Sequence, residues 1–148
     1  MNTQEKLKQA LKDAMRARDA LRKRVVRMAM TAIKNAEIEK GDSLDEPEVL
    51  SILQKEVKAR HETIEGAEKA GREDLIAEAE AEIEFLQTFL PQPLTSEELE
   101  AVVREVIEEV GATSPREMGK VMGALMPRIR GRADGGEANQ MVQKILRS

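Results

Sequence analysis

Seven stretches of this chain repeat apolar residues at the 3.6-residue spacing of an α-helix, and no stretch alternates apolar and polar residues as a half-buried strand does. The clearest apolar face consists of Leu99, Val102, Val103, Val106, Ile107 and Val110. The 148 residues include two Phe and neither Trp nor Tyr, so the core must be built from aliphatic side chains, Met and Ala, which favours helices. The sequence therefore predicts an all-α fold.

Capping residues mark where several of the helices begin. Asp45 and Glu48 have the spacing of a capping box, and Pro47 stands where a missing N–H does no harm. The same three-residue spacing recurs at Thr95 with Glu98, at Ser114 with Glu117, and at Asp134 with Glu137. Asp19 either caps the second helix or marks a bend in a continuous one. Pro127 predicts that the sixth helix ends or kinks there, because proline fits poorly in a helix interior.

The helices of the first ninety residues combine apolar stripes with strongly charged outer faces. Met15 falls on the apolar stripe of the first helix, and Met28 falls on that of the second. The opposite face of the second helix region is basic and carries Arg16, Arg18, Arg22, Lys23, Arg24 and Arg27. The outer face predicted for the fourth helix is acidic and carries Glu78, Glu80, Glu82 and Glu84.

A Pro-Gln-Pro segment at residues 91–93 divides the chain. Each proline removes a backbone donor and disfavours helix in the preceding residue, so no helix is expected to cross the segment. We expect an N-terminal helical domain over residues 1–92, built around a helical hairpin or bundle. A C-terminal three-helix domain is expected over residues 93–148.

The net charge of −4 conceals a strong asymmetry along the chain. Residues 1–40 hold 11 Lys or Arg and 5 Asp or Glu, residues 41–110 hold 6 and 20, and residues 111–148 hold 7 and 3. In one interpretation the basic ends attract acidic helices of the same chain and are otherwise solvated. In the other they hold a polyanion such as nucleic acid. The charge pattern alone favours the first interpretation.

Several classes of function find no support in the residues. With no cysteine, disulfides and thiolate chemistry are excluded. His61, the single histidine, has no metal-ligand or catalytic pattern around it, so we expect no catalytic residue, no metal and no cofactor. No run of about 18 apolar residues predicts a membrane span. The N-terminus lacks an apolar signal segment, and we therefore expect a cytoplasmic location.

Two glycines and three arginines stand close together near the C-terminal end. Gly119 and Gly123 share a helix face, which permits close approach by a neighbouring helix, the interpretation we favour, or by a partner. Arg128, Arg130 and Arg132 precede the N-terminus of the last helix, where free N–H groups and guanidinium groups suit a phosphate. The alternatives for these arginines are a solvated loop and pairing with acidic helix faces.

Four groups of residues stand out in their combination and order. They are Val25-Val26-Arg27-Met28, Phe89-Leu90-Pro91-Gln92-Pro93-Leu94, Met118-Gly119-Lys120-Val121-Met122-Gly123 and Gly131-Arg132-Ala133-Asp134-Gly135. Together they resemble the YqeY family over the whole chain. Over roughly the last third of the chain, residues 119–122, the corner at residues 131–133 and the final apolar helix are also similar to the tail domain of the GatB subunit of tRNA-dependent amidotransferases.

The resemblance to the GatB tail implies a function without a reaction centre. In that enzyme the tail is a helical appendage implicated in holding tRNA, and the catalytic steps belong to other domains and subunits. The resemblance therefore implies a non-catalytic accessory module that binds tRNA or another structured RNA, or that serves a tRNA-handling complex. The residues expected to contact phosphate are Lys120, Arg128, Arg130 and Arg132, assisted by Arg24 and Arg27 on the second helix.

Two alternative functions stay open. One is an amidotransferase-type carbon–nitrogen ligase with glutamine as amido donor, or a subunit of such an enzyme. The other is a protein-binding helical adaptor. Release of ammonia from glutamine would distinguish the enzyme, and an RNA affinity that falls steeply with salt would distinguish the RNA-binding module.

Overall fold

The computed structural model describes residues 1–148, and its regular elements are all helical. In chain order the helices are α1 (Thr3–Ala17), α2 (Ala20–Lys40), α3 (Glu46–Lys69), α4 (Glu73–Gln87), α5 (Ser96–Val110), α6 (Met118–Ile129) and α7 (Gly135–Arg147), with a 3₁₀ turn at Pro115–Glu117 before α6. The predicted all-α fold is confirmed. None of these helices is both long and apolar enough to cross a bilayer.

The chain forms two compact units, Met1–Pro91 and Gln92–Ser148, and their border falls within the Pro-Gln-Pro segment. Neither α4 nor α5 crosses the prolines, because α4 ends at Gln87 and α5 begins at Ser96. That each unit folds in isolation stays a prediction.

The N-terminal unit consists of two helix pairs, α1 with α2 and α3 with α4, and α2 also contacts α3 and α4. Its buried core residues are Leu7, Val25, Val26, Ala29, Ile33, Val49, Leu53, Val57, Ile83, Phe85 and Leu86. Phe85 and Phe89 meet edge to face with their ring centroids 5.3 Å apart. The Arg22 guanidinium lies over the Phe85 ring at 4.9 Å, which is a cation–π contact between α2 and α4.

The C-terminal unit is a three-helix arrangement in which α5, α6 and α7 all contact one another. Its buried core residues are Leu99, Val103, Val106, Ala112, Val121, Leu125, Ile129, Ala138, Val142 and Leu146. Because each helix contributes an aliphatic stripe, the unit buries a continuous apolar core without aromatic residues.

Two helix boundaries are settled by the structure. Asp19 caps α2, because its carboxylate accepts a hydrogen bond from the Arg22 N–H at 3.0 Å. The chain reverses just before this cap through Arg18, whose φ of 55° lies in the left-handed region. Helix α6 does not end at Pro127, as one alternative predicted, but continues to Ile129. Ile129 is fully buried, so its packing offsets the hydrogen bond that the proline removes.

The two methionines predicted on inward stripes turn outward. Met15 and Met28 are 52% and 48% exposed, whereas Val26, one position from the predicted stripe of α2, is fully buried. Helix α2 contacts α1, α3 and α4, so its buried face is wider than a single stripe and is rotated toward Val26. The opposite face, which includes Met28, is left open to solvent.

Candidate nucleic-acid interface

Helix α6 presents an outer face without side-chain bulk. Gly119 and Gly123 are exposed, and a Cβ atom placed on either would meet no neighbouring atom within 4 Å. Pro127, four residues beyond Gly123, is exposed on the same side of the helix. The expectation that a neighbouring helix packs against these glycines is therefore wrong, because nothing in the chain covers them. Glycine inside a helix is less favourable than alanine by up to about 1 kcal/mol, and packing within the chain does not explain why glycine stands at these two positions.

Two of the predicted phosphate-binding cations lie beside this face and make no ion pair. Lys120 follows Gly119 on α6, and Arg130 is the first residue after the helix; both are exposed and make no ion pair. Arg116, in the 3₁₀ turn before α6, is likewise exposed. The face is therefore flat and cationic along its length.

The start of the α6 segment is fixed by Glu117. Its carboxylate accepts hydrogen bonds from the backbone N–H groups of Thr113 and Ser114, the latter at 3.1 Å. These two bonds, with a smaller contribution from the charge of Lys120, hold the pKa of Glu117 below its ordinary value of 4.5. The carboxylate thus closes the connection between α5 and α6 as a capping box, as the sequence predicts.

Arg128 is occupied within its own unit. One of its terminal nitrogens, Nη2, lies 3.1 Å from Glu105 Oε2, and Nη1 lies 3.5 Å from Glu109 Oε2. Both glutamates belong to α5, so this arginine joins α5 to α6 across their exposed edges. The structure favours the pairing alternative for Arg128, whose charge is largely balanced by two carboxylates.

Arg132 holds the segment that enters the C-terminal unit. Its Nε donates to the carbonyl of Gln92 at 3.1 Å, and its own carbonyl accepts from the Leu94 N–H at 2.9 Å. Gly131 precedes it with a φ of 83°, a left-handed conformation that a β-carbon would strain. Arg132 is therefore placed to tie two distant segments of the chain together, and not at the front of the α6 face.

The N-terminus of α7 is closed by its own sequence. The Asp134 carboxylate accepts a hydrogen bond from the Glu137 N–H at 3.3 Å and so occupies a donor that an anion would need. Gly135 leaves room for Met126, whose Cε would lie 3.3 Å from a β-carbon at that position. One donor of the predicted phosphate site at this helix end is thus already used within the chain.

Arg24 and Arg27 lie on α2, in the N-terminal unit. Arg24 Nη2 lies 2.6 Å from Glu78 Oε1 and 2.9 Å from Glu82 Oε1, and the hydrogen bond to Glu82 is the main cause that raises its pKa. Arg27 is exposed and makes no ion pair. Lys120, Arg130 and Arg27 thus make no ion pair, whereas Arg24, Arg128 and Arg132 have hydrogen-bonding partners.

The sequence predictions missed a buried charge network around Arg60. This arginine of α3 is only 6% exposed, and its Nε lies 2.8 Å from Glu82 Oε2. It also donates to the Glu56 carbonyl at 2.9 Å and lies 3.5 Å from the Glu56 carboxylate. Glu82, predicted on an outer face, is therefore largely buried and joins Arg60 to Arg24. The signal was present, because Arg60 continues the apolar spacing of Leu53 and Val57.

Comparison with known proteins gives one consistent family. Residues 4–146 match the family model described as Yqey-like protein. Among curated proteins, the chain is similar to "Altered inheritance of mitochondria protein 41, mitochondrial" of Lachancea thermotolerans, with 38% identity over 112 residues, which is 74% of this chain and 60% of the relative. The protein of the same name in Eremothecium gossypii is 37% identical over 110 residues, or 72% and 60% of the two chains. That of Pyrenophora tritici-repentis is 28% identical over 144 residues, or 95% and 79%.

The match covers about three fifths of the length of the first two relatives. All three relatives are named mitochondrial proteins, and this contradicts the cytoplasmic location expected from the sequence. That expectation rested on the lack of an apolar signal segment. Mitochondrial transit segments are amphipathic and rich in Arg and Ser, so the lack of an apolar segment does not bear on mitochondrial import.

Proposed function

The chain belongs to the YqeY family, and from this premise we propose that it is a non-catalytic RNA-binding accessory module whose ligand is tRNA or another structured RNA. The outer face of α6 is the observation that supports the proposal most directly. There, two exposed glycines with open space in front of them stand beside free cations. The similarity of the C-terminal residues to the GatB tail points to tRNA as the first RNA to test.

The chemistry of the α6 face suits a phosphate backbone. Without side chains at Gly119 and Gly123, a ligand strand can approach the helix backbone to van der Waals distance. Lys120 and Arg130 then supply donors and positive charge at its sides, and guanidinium geometry matches phosphate oxygens. Contacts of this kind position an RNA without reading its bases, so affinity with little sequence preference is expected.

The proposed role of each predicted residue depends on whether its side chain is already paired within the chain. Lys120 and Arg130 are proposed to contact phosphate, and exposed Arg116 extends the same face. Arg128 and Arg132 are proposed to act indirectly, because their pairing with α5 and with Gln92 fixes the segment that follows α6. Arg24 is balanced by Glu78 and Glu82 and is not proposed as an RNA contact.

The test is a salt titration of RNA binding with a charge-matched control. Fluorescence anisotropy with labelled tRNA and with an unrelated structured RNA would compare the wild type with Lys120→Glu/Arg130→Glu. The double variant is expected to bind both RNAs more weakly by the same factor, and to lose about 0.7 to 0.9 of salt-dependence slope per phosphate contact removed. The control is Lys144→Glu/Arg147→Glu, which makes the same charge change at exposed residues of α7.

Two results would refute the RNA-binding proposal. Wild-type protein that shows no tRNA affinity at low salt has no RNA interface of this kind. A control variant that loses as much affinity as the α6 variant would show that only net charge matters. In the first case, release of ammonia from glutamine should be measured next, because it reports the amidotransferase alternative.

A further inference from the structure

A groove runs along the outer face of α2 and has no occupant within its own unit. It has a volume of about 670 Å³ and is lined by Ala20, Lys23, Arg24, Arg27, Met28, Thr31, Ala32, Asn35 and Glu56. All of these residues except Glu56 come from α2, which places the groove on the side of the helix opposite the core. From Ala20 to Asn35 it is about 22 Å long, the length of a helix of about 15 residues.

The floor of the groove is apolar and adaptable. Met28 lies at its middle with about half of its surface exposed, between the small side chains of Thr31 and Ala32. A second hollow continues it, because Ala20 and Lys23 also line a hollow with Ala14, Met15, Arg18 and Asp19. Half-exposed methionines are unbranched and polarisable, and such side chains accommodate the apolar face of a docking helix.

The rim of the groove carries free positive charge. Lys23 and Arg27 make no ion pair, whereas Arg24 is balanced by Glu78 and Glu82. Glu56 is the single carboxylate in the lining, and it faces the buried Arg60 at 3.5 Å. The net field at the rim is therefore set by Lys23 and Arg27 and attracts an acidic partner.

We propose that this groove docks an amphipathic helix of a partner protein, with an apolar stripe on Met28 and acidic side chains beside Lys23 and Arg27. Helix-in-groove binding needs an apolar floor of this length. The charges of Lys23 and Arg27 favour a partner helix that carries acidic residues beside its apolar stripe. The proposal concerns α2 and goes beyond the RNA-binding function assigned to α6.

Other occupants fit the groove less well. Single-stranded nucleic acid stacks on aromatic side chains, and no aromatic residue lines the groove. A second copy packed antiparallel along α2 would place Lys23, Arg27 and Lys34 of both copies along the same edge, where like charges repel.

The experiment uses the full-length chain and three synthetic peptides of about 16 residues. The first has an apolar helical stripe flanked by Glu, the second has the same stripe flanked by Lys, and the third has the composition of the first with the stripe scattered. Fluorescence anisotropy gives affinities, and methyl-labelled methionine spectra report where each peptide binds. The Glu-flanked peptide is expected to bind about tenfold more tightly than the other two, because two rim cations attract it. It should shift the methyl signals of Met28 and Met15.

Two variants of the protein complete the design. Met28→Glu is expected to weaken the Glu-flanked peptide at least tenfold, and Lys23→Glu/Arg27→Glu should make the Lys-flanked peptide the tighter ligand. The Lys120→Glu/Arg130→Glu variant should leave peptide binding unchanged, which separates this proposal from the RNA-binding one. Equal binding of all three peptides, no saturable binding, or shifts confined to the methionines of α6 and α7 would overturn the proposal. Equivalent Met28 shifts with anionic vesicles or RNA in place of peptide would do the same.

Discussion

Replacing Gly119 and Gly123 by alanine should stabilise the protein and weaken RNA binding at the same time. Neither glycine has a positive φ, and a β-carbon at either position meets no neighbouring atom within 4 Å, so the methyl groups fit without strain. Alanine is favoured over glycine by about 1 kcal/mol in a helix interior. Gly119 lies in the first turn, where the benefit is smaller, so the double variant should gain about 1 to 1.5 kcal/mol in free energy of unfolding.

The assay is denaturant unfolding followed by circular dichroism, with tRNA affinity measured on the same samples. If a ligand backbone approaches the two glycines closely, two methyl groups hold it away, and affinity should fall even though no charge has changed. Gly66→Ala is the control, because its β-carbon also meets open space but on α3, in the other unit. It should be stabilising and leave RNA binding unaltered. Loss of stability in the double variant, or unchanged RNA affinity, would refute the reasoning.

Three further predictions follow from the side-chain geometry. Arg60→Ala should lower the free energy of unfolding by about 3 kcal/mol, because it removes the buried partner of Glu82 and leaves that carboxylate only its pair with the exposed Arg24. Arg104→Ala, which removes an exposed pair with Glu100, should lower it by less than about 0.5 kcal/mol, and equal effects of the two changes would contradict the burial of Arg60. Arg132→Ala should destabilise the C-terminal unit by about 1 kcal/mol and speed amide exchange at Leu94, and unaltered exchange there would contradict the tether. The folded pKa of Glu117 is lowered, so its stabilising contribution is complete above about pH 4.5 and is lost as the pH falls below that value. The stability difference between wild type and Glu117→Gln should therefore shrink on acidification, and a constant difference would be inconsistent with the hydrogen bonds to Thr113 and Ser114.

Local chemistry made the helix boundaries predictable. Asp45, Thr95 and Asp134 each accept from an N–H three residues later, and such a pattern is complete within one turn of sequence. The predictions failed where a contact spans a long stretch of sequence. Arg132 and Gln92 are 40 residues apart, and the spacing of charges gives no sign that they meet.

The second limit on prediction was that the sequence does not determine which face of a helix is buried. The spacing of Gly119 and Gly123 shows that they share a face, but only the packing of α5 and α7 decides whether that face is covered. The same holds for α2, where Val26 and Met28 are both compatible with an apolar stripe. Contacts with three neighbouring helices bury the first and expose the second. A charged residue on an apolar stripe, such as Arg60, is an exception, because its position on the stripe predicts its burial.

The residues that carry the family resemblance divide into two sets when their surroundings are compared. For one set the fold supplies a reason. Val25 and Val26 are buried in the core of the N-terminal unit, Arg132 holds the entry to the C-terminal unit, and Asp134 caps α7. Changing any of these residues is expected to reduce stability, and their presence therefore says little about a ligand.

For the other set, the fold does not account for the identity of the residues. Gly119 and Gly123 are exposed and destabilise α6 relative to alanine. Arg27 is exposed and makes no ion pair, and Met28 is 48% exposed, with its Sδ 3.8 Å from Arg60 Nη2. We propose that these exposed residues, which belong to the pattern that resembles the family, contact partners outside the chain. The two pairs lie in different units, on surfaces of different character: a flat cationic face on α6 and an apolar groove with a cationic rim on α2. As proposed, the C-terminal unit holds an RNA through the α6 face, and the N-terminal unit holds a partner protein through the α2 groove.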